Sequence, residues 1–139
     1  MKYLLRLWLP VLLLPLLGCG GGDNRKPTYA VAGKVADASG RPLANADVVF
    51  HPVDDGGDGT LRPYGRTDET GTFRLTTYDG NDGAPAGQYR VSVQQWKTVS
   101  ADGGPTNQLP SKYANPDQSG LTATVNPGPT DLRPFQIRK

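Results

Sequence analysis

Two short runs of strict alternation constrain this chain more than anything else in it. In the first, Phe73, Leu75 and Thr77 fall on one face and Arg74, Thr76 and Tyr78 on the other. In the second, Tyr89, Val91 and Val93 share a face, with Arg90, Ser92 and Gln94 opposite. Successive side chains of a pleated strand point to opposite sides, so a period of two over this length marks a half-buried antiparallel strand. The flanking segments carry turn chemistry. Asp68-Glu69-Thr70-Gly71 fits a type I turn, in which the Asp side chain accepts from backbone N–H groups further along and the Gly takes the left-handed conformation. Ala84-Pro85-Ala86-Gly87 is a second turn, with φ preset by Pro85. Tyr89, just past that turn, has the layout of a tyrosine corner, its hydroxyl bonding back to backbone a few residues upstream. The alternative for Tyr89 is a core ring with its hydroxyl in water.

The rest of the chain repeats this pattern. Its 18 Gly and 13 Pro, with no window of 3.6-residue period, argue for an all-β protein. Seven strands are expected. The first covers residues 29–36, with Tyr29, Val31 and Val35 on one face, and ends in the turn Asp37-Ala38-Ser39-Gly40. The second puts Ala46, Val48 and Phe50 inside and Asp47, Val49 and His51 outside. A short third strand over residues 64–67 precedes the two described above. Leu121, Ala123 and Val125 mark the sixth, and the last runs through Phe135 and Ile137, where Pro134 predicts an edge or a bulge. Short antiparallel strands with one apolar face each predict a two-sheet β-sandwich.

Thr67-Asp68-x-x-Gly71-x-Phe73-x-Leu75, followed by Pro85-Ala86-Gly87-x-Tyr89-x-Val91-x-Val93, resembles the carboxypeptidase regulatory-like domain. Upstream, Gly33-Lys34-Val35 and Pro42-Leu43-x-x-Ala46-x-Val48-x-Phe50 are similar to the opening hairpin of that family. The resemblance spans residues 29–96 and implies a small transthyretin-like, Ig-like sandwich.

At the N-terminus, Lys2 and Arg6 flank an apolar run that reaches Leu17 and contains Pro10 and Pro15. Even counted from Tyr3 it is about 15 residues, short of the about 20 a spanning helix needs, and it reads as a secretory signal. It closes in Leu16-Leu17-Gly18-Cys19, which resembles the bacterial lipobox. The resemblance implies that Cys19 is diacylated and freed by signal peptidase II. Cys19 is the sole cysteine, so no intramolecular disulfide competes for it. The alternative is an unpaired thiol in an ordinary signal peptide. Two or more acyl chains anchor stably where one does not, so membrane lipid is the implied partner. Gly20 stands where inner-membrane lipoproteins carry Asp, which implies the outer membrane. The expected organisation is a signal peptide at 1–18, a lipidated cysteine and flexible tether at 19–28, and the sandwich at 29–139.

Loss of the signal peptide takes Lys2 and Arg6 from the 15 basic residues and leaves 13 against 13 acidic ones. A formally neutral chain has no basic stripe to neutralise phosphates, which argues against a nucleic-acid partner. The single His51 is expected on an outer face beside Pro52, with no nucleophile signature nearby, where acyl transfer would need it as a base. Asp54, Asp55 and Asp58 lie in a Gly-rich loop, without the alternating spacing and terminal Glu of an EF-hand. Asp79-Gly80-Asn81-Asp82-Gly83 poses the same question. Neither is expected to hold a metal, and no cofactor is expected. Glu69 is the only Glu, so a glycosidase carboxylate pair has little support.

Residues 109–121, Leu-Pro-Ser-Lys-Tyr-Ala-Asn-Pro-Asp-Gln-Ser-Gly-Leu, interrupt the alternation. A similar stretch recurs in small bacterial lipoproteins of this regulatory-like type, and a packed loop with Tyr113 over the open end of the sandwich is the expectation. Trp96 shares the parity of Arg90, Ser92 and Gln94 and is expected outside the core. With Lys112 and Tyr113 it would form an aromatic platform suited to a sugar ring or peptide. In the competing arrangement, residues 97–120 fold back and bury it, and the expectation leans to that. Two functions follow: a non-catalytic, lipid-anchored envelope module binding a polysaccharide or protein, or an envelope hydrolase with an unusual site. The scarcity of His, Cys and Glu favours the first.

Overall fold

In the computed structural model, which describes residues 24–54, 61–98 and 102–139, every strand is short except one. The elements are β1 (Thr28–Tyr29), β2 (Val31–Asp37), β3 (Ala46–Pro52), β4 (Tyr64–Arg66), β5 (Thr72–Arg74), β6 (Ala84–Pro85), β7 (Gly87–Thr98) and β8 (Pro105–Asn107). A single 3-10 turn (Ser111–Ala114) then leads to β9 (Leu121–Val125), β10 (Thr130–Asp131) and β11 (Phe135–Ile137). The protein is all-β, and its antiparallel pairs fall into distinct sheets.

One sheet is built on β2, which pairs antiparallel with β5 and parallel with β10 and β11. A second runs β4-β3-β7, with β9 pairing the start of β7 and β8 its end. The small pair β1-β6 joins the N-terminal segment to the turn before β7. Alternation fills the space between the two larger sheets. Val31 and Val35 of β2, Phe73 and Leu75, and Phe135 and Ile137 are buried from one side; Ala46, Val48 and Phe50 of β3 and Tyr89, Val91 and Val93 of β7 from the other. Phe50 is the joint. Its ring lies 6.3 Å from Phe73, 6.3 Å from Phe135 and 5.5 Å from Tyr89, so residues of both sheets meet on one side chain. Burying an aromatic or branched side chain of this size contributes about 1.5–3 kcal/mol.

The turns fold as their chemistry dictates. Gly71 has φ +73°, and its N–H donates to Asp68 O at 3.0 Å. The Asp68 carboxylate accepts from the Thr70 hydroxyl at 2.7 Å, Thr70 N–H at 2.9 Å and Thr72 N–H at 3.0 Å. Asp37 repeats the arrangement with the Ser39 hydroxyl, Ser39 N–H and Arg41 N–H, and Gly40 has φ +85°. These bonds hold both carboxyls below their ordinary range; the Ser39 hydroxyl first, then the Arg41 N–H, bring Asp37 to about 2. The tyrosine corner is present: Tyr89 donates its hydroxyl to Pro85 O at 2.7 Å.

Several expectations are corrected. Among the described residues there are eleven strand segments where seven strands were expected. The first predicted strand changes partner at Ala30 and splits into β1 and β2. Pro134, which lacks an N–H, lies in the break between β10 and β11 on the sheet edge. β6 and β8 carry too few apolar residues for a periodic signal. The C-terminal strand is parallel to β2, not antiparallel. Tyr29 is half-buried, as are Thr77 and Leu121. Ser92, expected outside, is buried. The tether does not run free to residue 28: Lys26 N–H donates to the Tyr78 hydroxyl at 3.1 Å, and the Arg25 guanidinium lies 5.2 Å from the Tyr78 ring centre and 3.7 Å from Asp79 Oδ2. The folded part begins at Arg25. Residues 1–23, with the expected signal peptide and Cys19, lie outside the described residues, as do residues 55–60 with Asp55 and Asp58.

Candidate functional site

Of the three residues proposed as an aromatic platform, the structure exposes one aromatic ring and buries the other. Trp96 extends β7 beyond its last pairing with β3 (Gln95 opposite Ala46), faces Asn107 across β8, and is 43 % exposed. It is not packed beneath residues 97–120, which corrects the arrangement the sequence favoured. Tyr113 is 3 % exposed and belongs to the core cluster. Its hydroxyl accepts from Arg138 N–H at 2.8 Å and faces Arg138 O at 3.3 Å, so the 3-10 turn closes onto the end of β11. The Lys112 ammonium sits 4.9 Å from the ring centre of Tyr113. A ring buried in this way presents no face to a sugar, and the platform does not assemble.

The segment carrying Tyr113 has a second effect. Ser119 donates its hydroxyl to Val91 O at 2.6 Å, and Arg90 pairs with Asp117 at 2.8 Å, which ties the segment to β7. There His51 Nε2 and Ser92 Oγ lie 2.9 Å apart. Burial, with the charge of Arg62 adding to it and Asp117 opposing, lowers the His51 pKa, so the imidazole is neutral near pH 7. A serine–histidine contact is the first half of a nucleophilic site. In this one the nearby carboxylate, Asp117, is engaged by Arg90, and Ser92 is only 6 % exposed. The sequence missed the pair because Ser92 and His51 are 41 residues apart and meet diagonally across β3 and β7.

Among the described residues, no group of three or more His, Cys, Asp or Glu side chains gathers as metal ligands would. The carboxylate of Asp82, in the second loop considered for calcium, is taken up by Thr77 N–H at 2.7 Å, Tyr78 N–H at 3.0 Å and Asp79 N–H at 3.2 Å. It closes a turn.

The outer face of the β2 sheet holds a feature that no motif announced. Beside β4 and β5 lies a depression of about 370 Å³ bordered by Tyr64, Arg66, Asp68, Arg74, Thr76 and Asn81. A second, of about 150 Å³, shares Arg74 and Asn81 with it and is floored by the backbone and small side chains of Ala30 and Ala32. A third, of about 210 Å³, shares Ala32 and Asp131 with the second and continues past Lys34 and Leu132. The three form one bent furrow. Tyr64 is 57 % exposed, the most exposed aromatic ring among the described residues. Arg66 is held 3.6 Å from Asp47, whereas Arg74 has no ion pair or side-chain hydrogen bond among the described residues. The signal available in the sequence was parity: Tyr64 and Arg66 flank the buried Gly65, and Arg74 alternates with Phe73 and Leu75.

No family model matches the chain, and no curated protein matches it. Among solved structures it is similar to a 9R-lipoxygenase from Cyanothece PCC8801, at 17 % identity and a TM-score of 0.43, covering 80 % of this chain. The chain spans only 16 % of the length of that lipoxygenase. It is also similar to the major plantain pollen allergen Pla l 1, at 19 % identity and a TM-score of 0.42, covering 80 % of this chain and 93 % of the allergen.

Proposed function

We propose that this protein is a non-catalytic lipoprotein of the bacterial cell envelope, a transthyretin-like β-sandwich held to the membrane through acylated Cys19 and serving as a binding or scaffold module. The observation that carries the reading is the sole cysteine of the chain, placed directly after Leu16-Leu17-Gly18 at the end of a short apolar run. Gly20 in place of Asp favours the outer membrane. The folded part supports the reading in its own way. It begins at Arg25, six residues past Cys19, and offers an outer sheet face with an exposed aromatic ring and a guanidinium, Arg74, that makes no ion pair among the described residues. Its partners are membrane lipid and an envelope polysaccharide or protein. Growth with a labelled fatty acid tests the anchor: the wild-type chain takes up label and its mature N-terminus is Cys19, while Cys19→Ser leaves unlabelled precursor. An unlabelled wild-type chain with a different mature N-terminus refutes the anchor.

The second reading, an envelope hydrolase, is favoured by the 2.9 Å His51–Ser92 contact. A fluorophosphonate probe decides it. Labelling that Ser92→Ala abolishes would establish an activated serine. No labelling is expected, because Ser92 is covered.

A further inference from the structure

We infer that the furrow on the outer face of the β2 sheet is a binding site for a linear polysaccharide bearing carboxylate groups. The inference rests on the binding-module reading above and gives that module a site and a ligand class. The shape comes first. The adjoining depressions share Arg74, Asn81, Ala32 and Asp131, so the surface offers a continuous path from Tyr64 to Leu132 and no single enclosed pocket. An open path fits an extended polymer; a small molecule is held in a concave site that buries most of it.

The side chains then select among polymers. Tyr64 holds its ring more than half in solvent at one end, where it can cover the apolar face of a pyranose while its hydroxyl stays wet. Arg74 stands where two of the depressions meet and makes no ion pair among the described residues, although the carboxylates of Asp68 and Asp131 also line the furrow. A guanidinium presents paired donors that match a carboxylate bidentately, and such charge-assisted bonds are about twice as strong as neutral ones. Lys34 adds a second cation further along, and Asn81, Thr76 and Asp131 supply donors and acceptors of the kind sugar hydroxyls require. The floor of Ala30 and Ala32 lets a ring approach the backbone closely. Asn81 is fixed for the task, with φ +61° and its N–H bonded to the Thr76 hydroxyl at 2.9 Å. Because the mature chain is formally neutral, attraction comes from this local cluster and not from a general basic field.

Native affinity electrophoresis of the purified full chain in neutral detergent tests the inference, with polygalacturonate as probe and dextran and dextran sulfate as comparators. Polygalacturonate is expected to retard the protein, dextran to leave it unchanged, and dextran sulfate to retard it much less at equal charge. Arg74→Ala should weaken retardation about tenfold, the loss of one charge-assisted pair, and Arg74→Lys should recover only part of it. Tyr64→Ala should weaken it and Tyr64→Phe should not. Arg90→Ala, outside the furrow, should leave it intact. Melting curves confirm folding, and the Phe and Lys variants keep the test decisive if an Ala variant unfolds. No retardation by polygalacturonate, equal retardation by dextran sulfate, or retardation that survives Arg74→Ala and Tyr64→Ala overturns the inference. The intact mass of the same sample reports acylation of Cys19, so failure of the site and failure of the anchor are read separately.

Discussion

Gly71 closes the Asp68 turn at a position where one added carbon should do measurable harm, and the structure says how much. Its φ of +73° lies in the left-handed region, which an L-residue enters at a cost of about 1–2 kcal/mol. A Cβ built there would stand 2.6 Å from Val35 O and 2.9 Å from Pro42 Cβ. Val35 belongs to the central strand β2 and cannot rotate away. The turn must lift instead, which strains the bond from Val35 N–H to Gly71 O, 2.8 Å in the native chain and worth about 1 kcal/mol. Gly71→Ala should therefore destabilise by about 2–3 kcal/mol, which for a domain of this size lowers Tm by roughly 10 °C. Gly40 supplies the internal control. Its turn has the same chemistry and φ +85°, yet nothing lies within 4 Å of its Cβ position. Gly40→Ala should feel only the conformational cost, about 1 kcal/mol or roughly 4 °C. Thermal unfolding of the mature protein by circular dichroism separates the two. Equal shifts would refute the argument from crowding, and no shift at Gly71 would refute the turn itself.

Further expectations follow from the same contacts. Tyr89→Phe removes the hydroxyl bond to Pro85 O and should cost about 1 kcal/mol by denaturant titration. Burial pushes the Tyr89 phenol from 10.0 to about 12, so the stability its neutral form confers is intact below about pH 10 and lost as pH rises through 12; ultraviolet absorbance should show one tyrosine ionising with alkaline unfolding. Asp37 moves the other way, from 3.8 to about 2, so its contribution is present above pH 4 and lost as pH falls through 2. Asp37→Asn should flatten the acid limb of the stability profile, and an unchanged limb would remove the Ser39 and Arg41 bonds as its cause. Trp96 is the only tryptophan in residues 20–139, which serve for this measurement. Its emission should be red-shifted and readily quenched by acrylamide, and Trp96→Ala should change stability by less than about 0.5 kcal/mol; blue-shifted, protected emission would place it under the loop after all.

What could be read before folding was whatever is local. The inward sets Val31-Val35, Ala46-Val48-Phe50, Phe73-Leu75, Tyr89-Val91-Val93 and Phe135-Ile137 are all buried as parity predicts. The two Asp-to-Gly turns and the corner at Tyr89 formed from residues within five positions of each other. What could not be read depends on partners far along the chain. Ser92 has outward parity yet is buried, bonded to His51 from 41 residues away, and the Ser119 hydroxyl reaches Val91 O from 28 residues away. The parallel seat of β10 and β11 on β2 leaves no trace in either segment's own pattern. Tyr113 packs as expected of a residue covering the open end of the sandwich, but its partner, the backbone of Arg138 25 residues on, left no mark in the local sequence. The furrow escaped for the same reason, since Tyr64, Arg74, Asn81 and Asp131 come from four separate segments.

If Cys19 carries the proposed lipid, the docking of Arg25 and Lys26 onto Tyr78 and Asp79 would decide which way the molecule stands. With Cys19 acylated, only residues 20–24 remain as leash, a reach of roughly 17 Å fully extended. The leash leaves from the end where β1 pairs β6. From that same end β7 starts at Gly87 and climbs 12 residues, about 40 Å at strand rise, carrying Trp96 near its summit. On the proposed anchor the bilayer would lie beneath the turn around residues 78–82, with the β7–β8 ribbon pointing away from it. Asn81, two residues from the leash's foothold at Asp79, puts the mouth of the furrow at the base of the molecule. A polymer held there would be gripped in the layer directly above the lipid headgroups, with the exposed tryptophan left free at the opposite pole.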